Sequence, residues 1–215
     1  GLSLMAGWSD PRHRLDAQRL AELFREVDWQ LAGLHAAGTP PLAIVVCGGA
    51  AMCYQIAWRG TGDVDIMYPP MPPELSEAVR AVARRRHLSA GWMNDGPAQF
   101  APYGRHVASR TLYTGEHLTV RSPDNRFLLG MKVHAAREDD AGDTIWLMND
   151  TGLHSRADLH DMAQVVSGSL GEVWKPSRVQ KRFVRRCRRE RRRDARKARR
   201  VQRKTASTAD TPQTG

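Results

Sequence analysis

From Asp16 to Ala37, Leu20, Leu23, Phe24, Val27, Leu31 and Leu34 recur at the spacing of one helix face, and Gly38-Thr39-Pro40-Pro41 stops the pattern. Leu42 to Val46 is a short β-branched run that predicts a buried strand. Gly48-Gly49 reads as the turn out of it, Ala50 to Trp58 as a short helix and Val64 to Tyr68 as the next strand. Pro69 to Pro73 is a rigid connector, and Glu74 to Leu88 predicts a helix with Leu75, Val79 and Val82 inward. Gly91 to Gly104, rich in Gly and Pro, predicts irregular chain. Val107 to Tyr113 and Leu118 to Arg121 predict two strands around Thr114-Gly115-Glu116. Ser122 or Asp124 caps a helix carrying Phe127, Leu128, Met131 and Val133, and one or two more helices run from Asp140 to about Ser167.

This order predicts an α/β (α+β) fold: a small mixed sheet flanked by helices, then a helical C-terminal region and a basic tail. The predicted divisions are 1–122 (core with N-terminal helix), 123–176 (helical region), 177–204 (basic helix) and 205–215 (disordered end). Beyond Pro176 the apolar positions thin to Val179, Phe183, Val184 and Cys187, a single helical stripe.

A chain of 215 residues can bury a substantial core. Its apolar runs fall far short of a membrane span, and no stretch reads as a secretory leader. Cys47, Cys53 and Cys187 are odd in number without metal-ligand spacing, which predicts a reducing cytoplasm. His154 and His160, six apart on a helix, are poorly aligned and read as surface residues. The net charge of +10 is unevenly divided. Lys181 to Lys204 holds fifteen Lys/Arg and two acids, whereas the remainder is mildly acidic at −3. A tail of that density predicts a polyanion partner, gripped through its phosphate backbone without sequence readout.

The second predicted strand carries two carboxylates. Residues i and i+2 share a strand face, so Asp63 and Asp65 stand side by side while Val64 and Ile66 turn into the core. Two like charges that close repel unless a cation lies between them. Magnesium prefers such a site: a few carboxylates, waters and substrate phosphates. At Gly48-Gly49 backbone can approach a ligand unobstructed, and the N-terminus of the following helix suits phosphate. No Gly-Lys-Ser/Thr follows, so this is not a Walker loop. Arg59 and Thr61, just ahead of the carboxylates, are candidates for phosphate oxygens or a metal-bound water.

Taken singly, each feature is more often structural: a turn, an exposed strand end, a salt bridge. Taken in this order, they favour a site. Farther along, Lys132 lies between Met131 and Val133, where the competing reading is a snorkelling surface lysine. Asp140 and Asp143 can share a helix face or cap the helix beginning near Asp143.

The stretch GGAAMCYQIAWRGTGDVDI resembles the polymerase-β-like nucleotidyltransferase superfamily, and within it the AbiEii and MenT-type toxin nucleotidyltransferases of bacterial toxin–antitoxin systems. LLGMKVHAAREDDAGDTIWL is similar to that group's Leu-Leu-x-x-Lys, Ala-x-Arg and Asp-x-x-Asp pattern, and GWMNDGPAQF to the Trp-Leu-Asn-Asp segment of the related DUF6036 group. The resemblance covers roughly Leu42 to Leu147. It implies that Gly48 and Gly49 contact nucleotide phosphates, that Asp63 and Asp65 bind Mg2+, and that Thr61 replaces a small hydroxyl residue. It also implies that Lys132 holds the triphosphate and that Asp143 is the distal acid, with Asp140 beside it. The implied activity is transfer of a nucleotide from a nucleoside triphosphate to an acceptor hydroxyl at the tRNA 3′ end. The implied outcome is growth inhibition, with a cognate antitoxin as partner.

Many members of the superfamily carry a third carboxylate on a later strand. In HVASRTLYTGEHLTVRS the one acid is Glu116, at the turn. Either Glu116 serves, or two strand carboxylates work with an acid such as Asp143. Two rival readings stay open: a nucleotidyltransferase acting on a protein or small molecule, and a non-catalytic nucleic-acid-binding module on a degenerate transferase fold.

Overall fold

The computed structural model describes residues 14–99, 109–169 and 171–209. The predicted strand start at Val107, the end of the irregular segment at Gly104 and the last residues of the chain lie outside these. The described residues form an α/β mixed fold with a five-stranded mixed sheet. The chain divides into two compact units, Gly1–Leu128 with Ser169–Glu172, and Leu129–Gly168 with Val173–Gly215.

The first unit holds the sheet. Its strands are β1 (Leu42–Cys47), β2 (Val64–Tyr68), β3 (Met93–Asn94), β4 (Ser109–Thr114) and β5 (Leu118–Pro123), in the order β3-β2-β1-β5-β4. Central β1 runs antiparallel to β2 and parallel to β5. Helices α1 (Ala17–Ala32), α2 (Gly48–Cys53) and α3 (Pro73–Arg86) complete the unit. Asp16 caps α1 by accepting from Arg19 N at 2.9 Å. Leu20, Leu23, Phe24, Val27 and Leu31 of α1 and Leu75, Val79 and Val82 of α3 form one core with Ile44, Val46, Val64, Ile66, Leu118 and Val120 of the sheet. Strand alternation therefore puts Cys47, Asp65 and Arg121 on the opposite sheet face. Glu26 of α1 is gripped by Arg85 and Arg86 of α3, and the Arg86 hydrogen bond holds its carboxyl below the usual range.

Several boundaries differ from the sequence reading. Helix α1 stops at Gly33, short of Gly38, and Leu34 is exposed. Helix α2 begins at Gly48 itself and ends at Cys53, not Trp58. The irregular segment contains β3, whose two residues are too few to show a period.

The second unit takes α4 (Asn125–Ala135) from Leu129 onward, with α5 (Ala141–Thr151), α6 (Arg156–Ser169) and α7 (Arg178–Ala209). Asp124, rather than Ser122, caps α4, accepting from Phe127 N at 2.8 Å. A Cβ on Gly130 would lie 2.3 Å from the Met162 carbonyl oxygen, so α4 and α6 meet at backbone distance. Helix α7 is 32 residues long and continues to Ala209, past the predicted disorder at Thr205. Ala206 and Ala209 are strong helix formers, which favours the extension. Of the predicted stripe Phe183, Val184 and Cys187 are buried core, whereas Val179 at its start is exposed, as are 192–202. Among the described residues no helix is long and apolar enough to cross a membrane.

Candidate functional site

In the first unit the chain brings Gly48, Gly49, Thr61, Asp63 and Asp65 together at one end of the sheet. Gly48 has φ +63°, which L side chains rarely adopt, and a Cβ there would fall 3.0 Å from Asp65 Oδ2. On Gly49 a Cβ would fall 2.4 Å from Thr61 Oγ1. Glycine is therefore required at both positions, because backbone sits where a side chain would collide with the carboxylate or the hydroxyl.

Thr61 is fixed twice over. Its backbone forms an isolated antiparallel bridge with Leu15, with N–H···O distances of 2.8 Å in both directions. Its hydroxyl, 4% exposed, donates to the Asp63 carbonyl at 3.1 Å and lies 3.4 Å from Asp63 Oδ1. Asp63 precedes β2 and is exposed; Asp65 lies within the strand and is half buried. Val64 and Ile66 between and beyond them are fully buried. Arg59 donates from Nη1 to the Gly60 carbonyl at 2.7 Å.

Asn94 is a member of this cluster that sequence reasoning missed. It sits on β3 directly opposite Asp65. Gly96 N donates to its Oδ1 at 3.1 Å, which fixes the amide orientation, and its Nδ2 donates to Asp65 Oδ1 at 3.1 Å. Its segment, GWMNDGPAQF, was singled out for its resemblance, but nothing in the sequence assigned Asn94 itself to the carboxylates.

The strand register rules out Glu116 as a third carboxylate. Leu42 pairs with Leu118 at one end of β1, and Cys47 pairs with Asp65 at the other. Glu116 lies just before Leu118, so the length of β1 separates it from Asp65, on the order of 15 Å at strand rise. Its turn is instead tied to α1, where Asp28 accepts from Glu116 N at 3.3 Å and His117 N at 2.8 Å. Arg121, across β1 on the Asp65 face, is a cation. Among the described residues no three His, Cys, Asp or Glu side chains converge as a metal cage. Two carboxylates are therefore what this end of the sheet offers, and they fit an ion that takes its other ligands from water and phosphate.

In the second unit Lys132, Asp140 and Asp143 form a buried charge cluster. The Lys132 side chain is 8% exposed, and its Nζ donates to Asp140 and, at 3.0 Å, to Asp143 Oδ2. It is not a snorkelling surface lysine. Asp140 occupies the N-cap position of α5 but makes no side-chain cap, because its carboxylate is committed to Lys132. The cluster carries two carboxylates to one ammonium.

Other reactive types are poor candidates. Burial pushes the Cys187 thiol and the Tyr54 phenol each up to about 12, which leaves both protonated at neutral pH. His160 packs edge-on against Trp174 at 4.6 Å, and burial lowers its pKa. Neither His154 nor His160 is the surface residue that sequence spacing predicted; both are half buried. The chain matches no family model, no curated protein and no solved structure.

Proposed function

We propose that this chain is a magnesium-dependent nucleotidyltransferase that moves a nucleoside monophosphate from a nucleoside triphosphate to an acceptor hydroxyl. One observation carries the reading. The paired carboxylates Asp63 and Asp65 are pinned beside two glycines whose missing side chains leave backbone in contact range. The buried Thr61 hydroxyl beside the Asp63 carboxylate supports the same reading.

In this reading Asp63 and Asp65 hold magnesium, which when bound supplies positive charge to the triphosphate. Thr61 and Asn94 orient the two carboxylates by their hydrogen bonds. Gly48 and Gly49 admit the phosphates against backbone. The acceptor oxygen bonds to the α-phosphorus, the bond to the bridging oxygen breaks, and pyrophosphate leaves with the electron pair. A strand aspartate takes the acceptor proton. The Lys132–Asp140–Asp143 cluster supports a positioning role in its own unit.

The charge of α7 favours RNA as the acceptor, and the resemblance names the tRNA 3′ end, a toxin role and a cognate antitoxin. Transfer to a protein or small molecule is the second reading, favoured if the tail serves another polyanion. Purified protein incubated with magnesium, total RNA and each labelled nucleoside triphosphate tests the proposal. Label in an RNA of tRNA length is the expected result. Label in protein or small molecules selects the second reading, and no label anywhere selects a non-catalytic module.

A further inference from the structure

Helix α7 presents Arg188, Arg191 and Arg192 on one face, three and four residues apart. Together with Met148 of α5 and His154 and Ser155 of the α5–α6 junction, they line a cavity of about 280 Å³ within the second unit. Arg188 and Arg191 are half buried, whereas Arg189 and Arg193 beside them are exposed. Arg188 Nε donates to the His154 carbonyl at 3.2 Å, and Arg191 Nε to Asn149 Oδ1 at 2.7 Å. Both acceptors are neutral. Among the described residues none of the three guanidiniums pairs with a carboxylate, although Arg186 of the same helix pairs with Glu190 at 2.9 Å. The acid at the junction, Asp158, is spent on its own helix, where it accepts from His154 N at 2.9 Å and Ser155 N at 2.7 Å.

His154 adds an independent sign. Its Nε2 lies 2.8 Å from Arg191 Nη2. A guanidinium can only donate, so Nε2 accepts and the ring hydrogen sits on Nδ1. That nitrogen is buried and has no partner among the described residues. The cavity wall therefore gathers three guanidiniums, and no carboxylate among the described residues pairs with them. Buried donors are normally satisfied, and gathered cations normally have counter-charge.

We propose that this cavity is a phosphate-binding site, taking a phosphate group of a nucleic acid or nucleotide. Guanidiniums in a fork arrangement match phosphate oxygens. The site belongs to the second unit, the carboxylate pair to the first, and the proposal does not depend on the chain being a transferase.

The test is titration of the full chain with inorganic phosphate at low ionic strength, without magnesium or nucleoside triphosphate. Arg188→Ala/Arg191→Ala should weaken phosphate binding about tenfold or more, the loss of a charge-assisted contact. Arg193→Ala/Arg199→Ala removes the same charge from the exposed face and should weaken it less than about twofold. Arg192→Ala, an exposed position that carries no packing, should weaken it measurably, which guards against a folding defect in the first variant. The His154 Nδ1–H proton resonance should shift in the wild type on adding phosphate. Equal losses in both double variants, or a wild type that binds no phosphate, would overturn the site. A 5′-phosphorylated and a 5′-hydroxyl oligoribonucleotide of one sequence then separate the sources. Preference for the former assigns a terminal phosphate; equal affinity, lost in the cavity variant, assigns the backbone. Oligonucleotide binding that the cavity variant leaves intact assigns a free nucleotide or phosphate.

Discussion

Gly49 stands so close to Thr61 that a Cβ on it would lie 2.9 Å from the threonine Cβ as well as 2.4 Å from its hydroxyl oxygen. Thr61 is held against retreat, because both its N–H and its carbonyl are hydrogen-bonded to Leu15. Alanine for glycine in a helix ordinarily gains about 1 kcal/mol, but overpacking costs about 1–3 kcal/mol. The clash involves a fixed neighbour, so Gly49→Ala should destabilise by about 1–2 kcal/mol. A lower urea midpoint checks this, and a raised midpoint would mean that Thr61 can move. Thr61→Gly in the same chain should restore part of the loss.

Lys132 is predicted to matter for stability first. Removing one partner of a buried ion pair costs about 3–5 kcal/mol, because uncompensated charge is left behind. Lys132→Ala strands two carboxylates, so the second unit should lose cooperative unfolding or melt markedly earlier. Lys132→Met combined with Asp140→Asn and Asp143→Asn should recover most of the stability. Calorimetry on the three chains separates the cases; a lone Lys132→Ala as stable as wild type would refute the burial argument.

Asp65→Asn should abolish transfer while the fold holds. The amide keeps the size of the carboxylate and retains an acceptor for Asn94 Nδ2, so stability should change by less than about 1 kcal/mol. Transfer and melting temperature are to be measured on one preparation. A folded variant with full activity would remove the carboxylate pair from the chemistry.

His160 predicts a pH dependence with a definite sign. Burial first, then Arg156 and Lys181 against the opposing Asp161, lowers its pKa below the ordinary 6.5. The folded protein therefore binds its proton less readily than the unfolded chain. Stability is full above that ordinary value and declines as pH falls toward the folded-state value. His160→Phe keeps a ring against Trp174 and removes the titration. Denaturation midpoints between pH 7 and 5 should fall less steeply in the variant than in wild type.

The exposed part of α7 should bind polyanion without serving the core. Because Phe183, Val184 and Cys187 are buried, a cut after Pro176 would strip the second unit of packing. A cut after Ala195 removes six cations, Arg196, Lys197, Arg199, Arg200, Arg203 and Lys204, and no buried residue among those described. The shortened chain should fold normally and lose RNA affinity less steeply with salt, by about 0.7 in log–log slope per phosphate contact given up in a single strand. Equal slopes would mean that this end of the helix touches no nucleic acid.

How much of this was legible in the sequence depended on whether a contact was local. Val64-Asp65-Ile66 showed its alternation because strand period is a property of adjacent residues, and both apolar members are fully buried as expected. The Leu20 to Leu31 stripe was legible for the same reason. Asn94 was not, since its meaning comes from lying across a strand gap from Asp65. Lys132 was visible, but no spacing rule joins it to Asp140 eight residues on across a break in the helix. Arg188, Arg191 and Arg192 were hidden by abundance, because among so many arginines only the bonds of Arg188 and Arg191 to His154, and the cavity Arg192 shares with them, distinguish these three. The glycines were noticed, yet the steric reason for them lies in Thr61 and Asp65, more than ten residues away.

The parallel pairing of β1 with β5 also bears on how the chain finds its structure. The middle strand of the sheet cannot acquire that neighbour until α2, β2, α3, β3 and β4 have all been laid down or bypassed. Helix α1 and the β4–β5 hairpin rest on near-neighbour contacts and can form early, while the union of Leu42–Val45 with Leu118–Arg121 carries the loop-closure entropy. Substitutions at Ile44 or Val120 should therefore slow refolding more than equally destabilising ones at the solvent end of the hairpin. During synthesis β1 would emerge with one edge unpaired, waiting for a partner that the ribosome has yet to make.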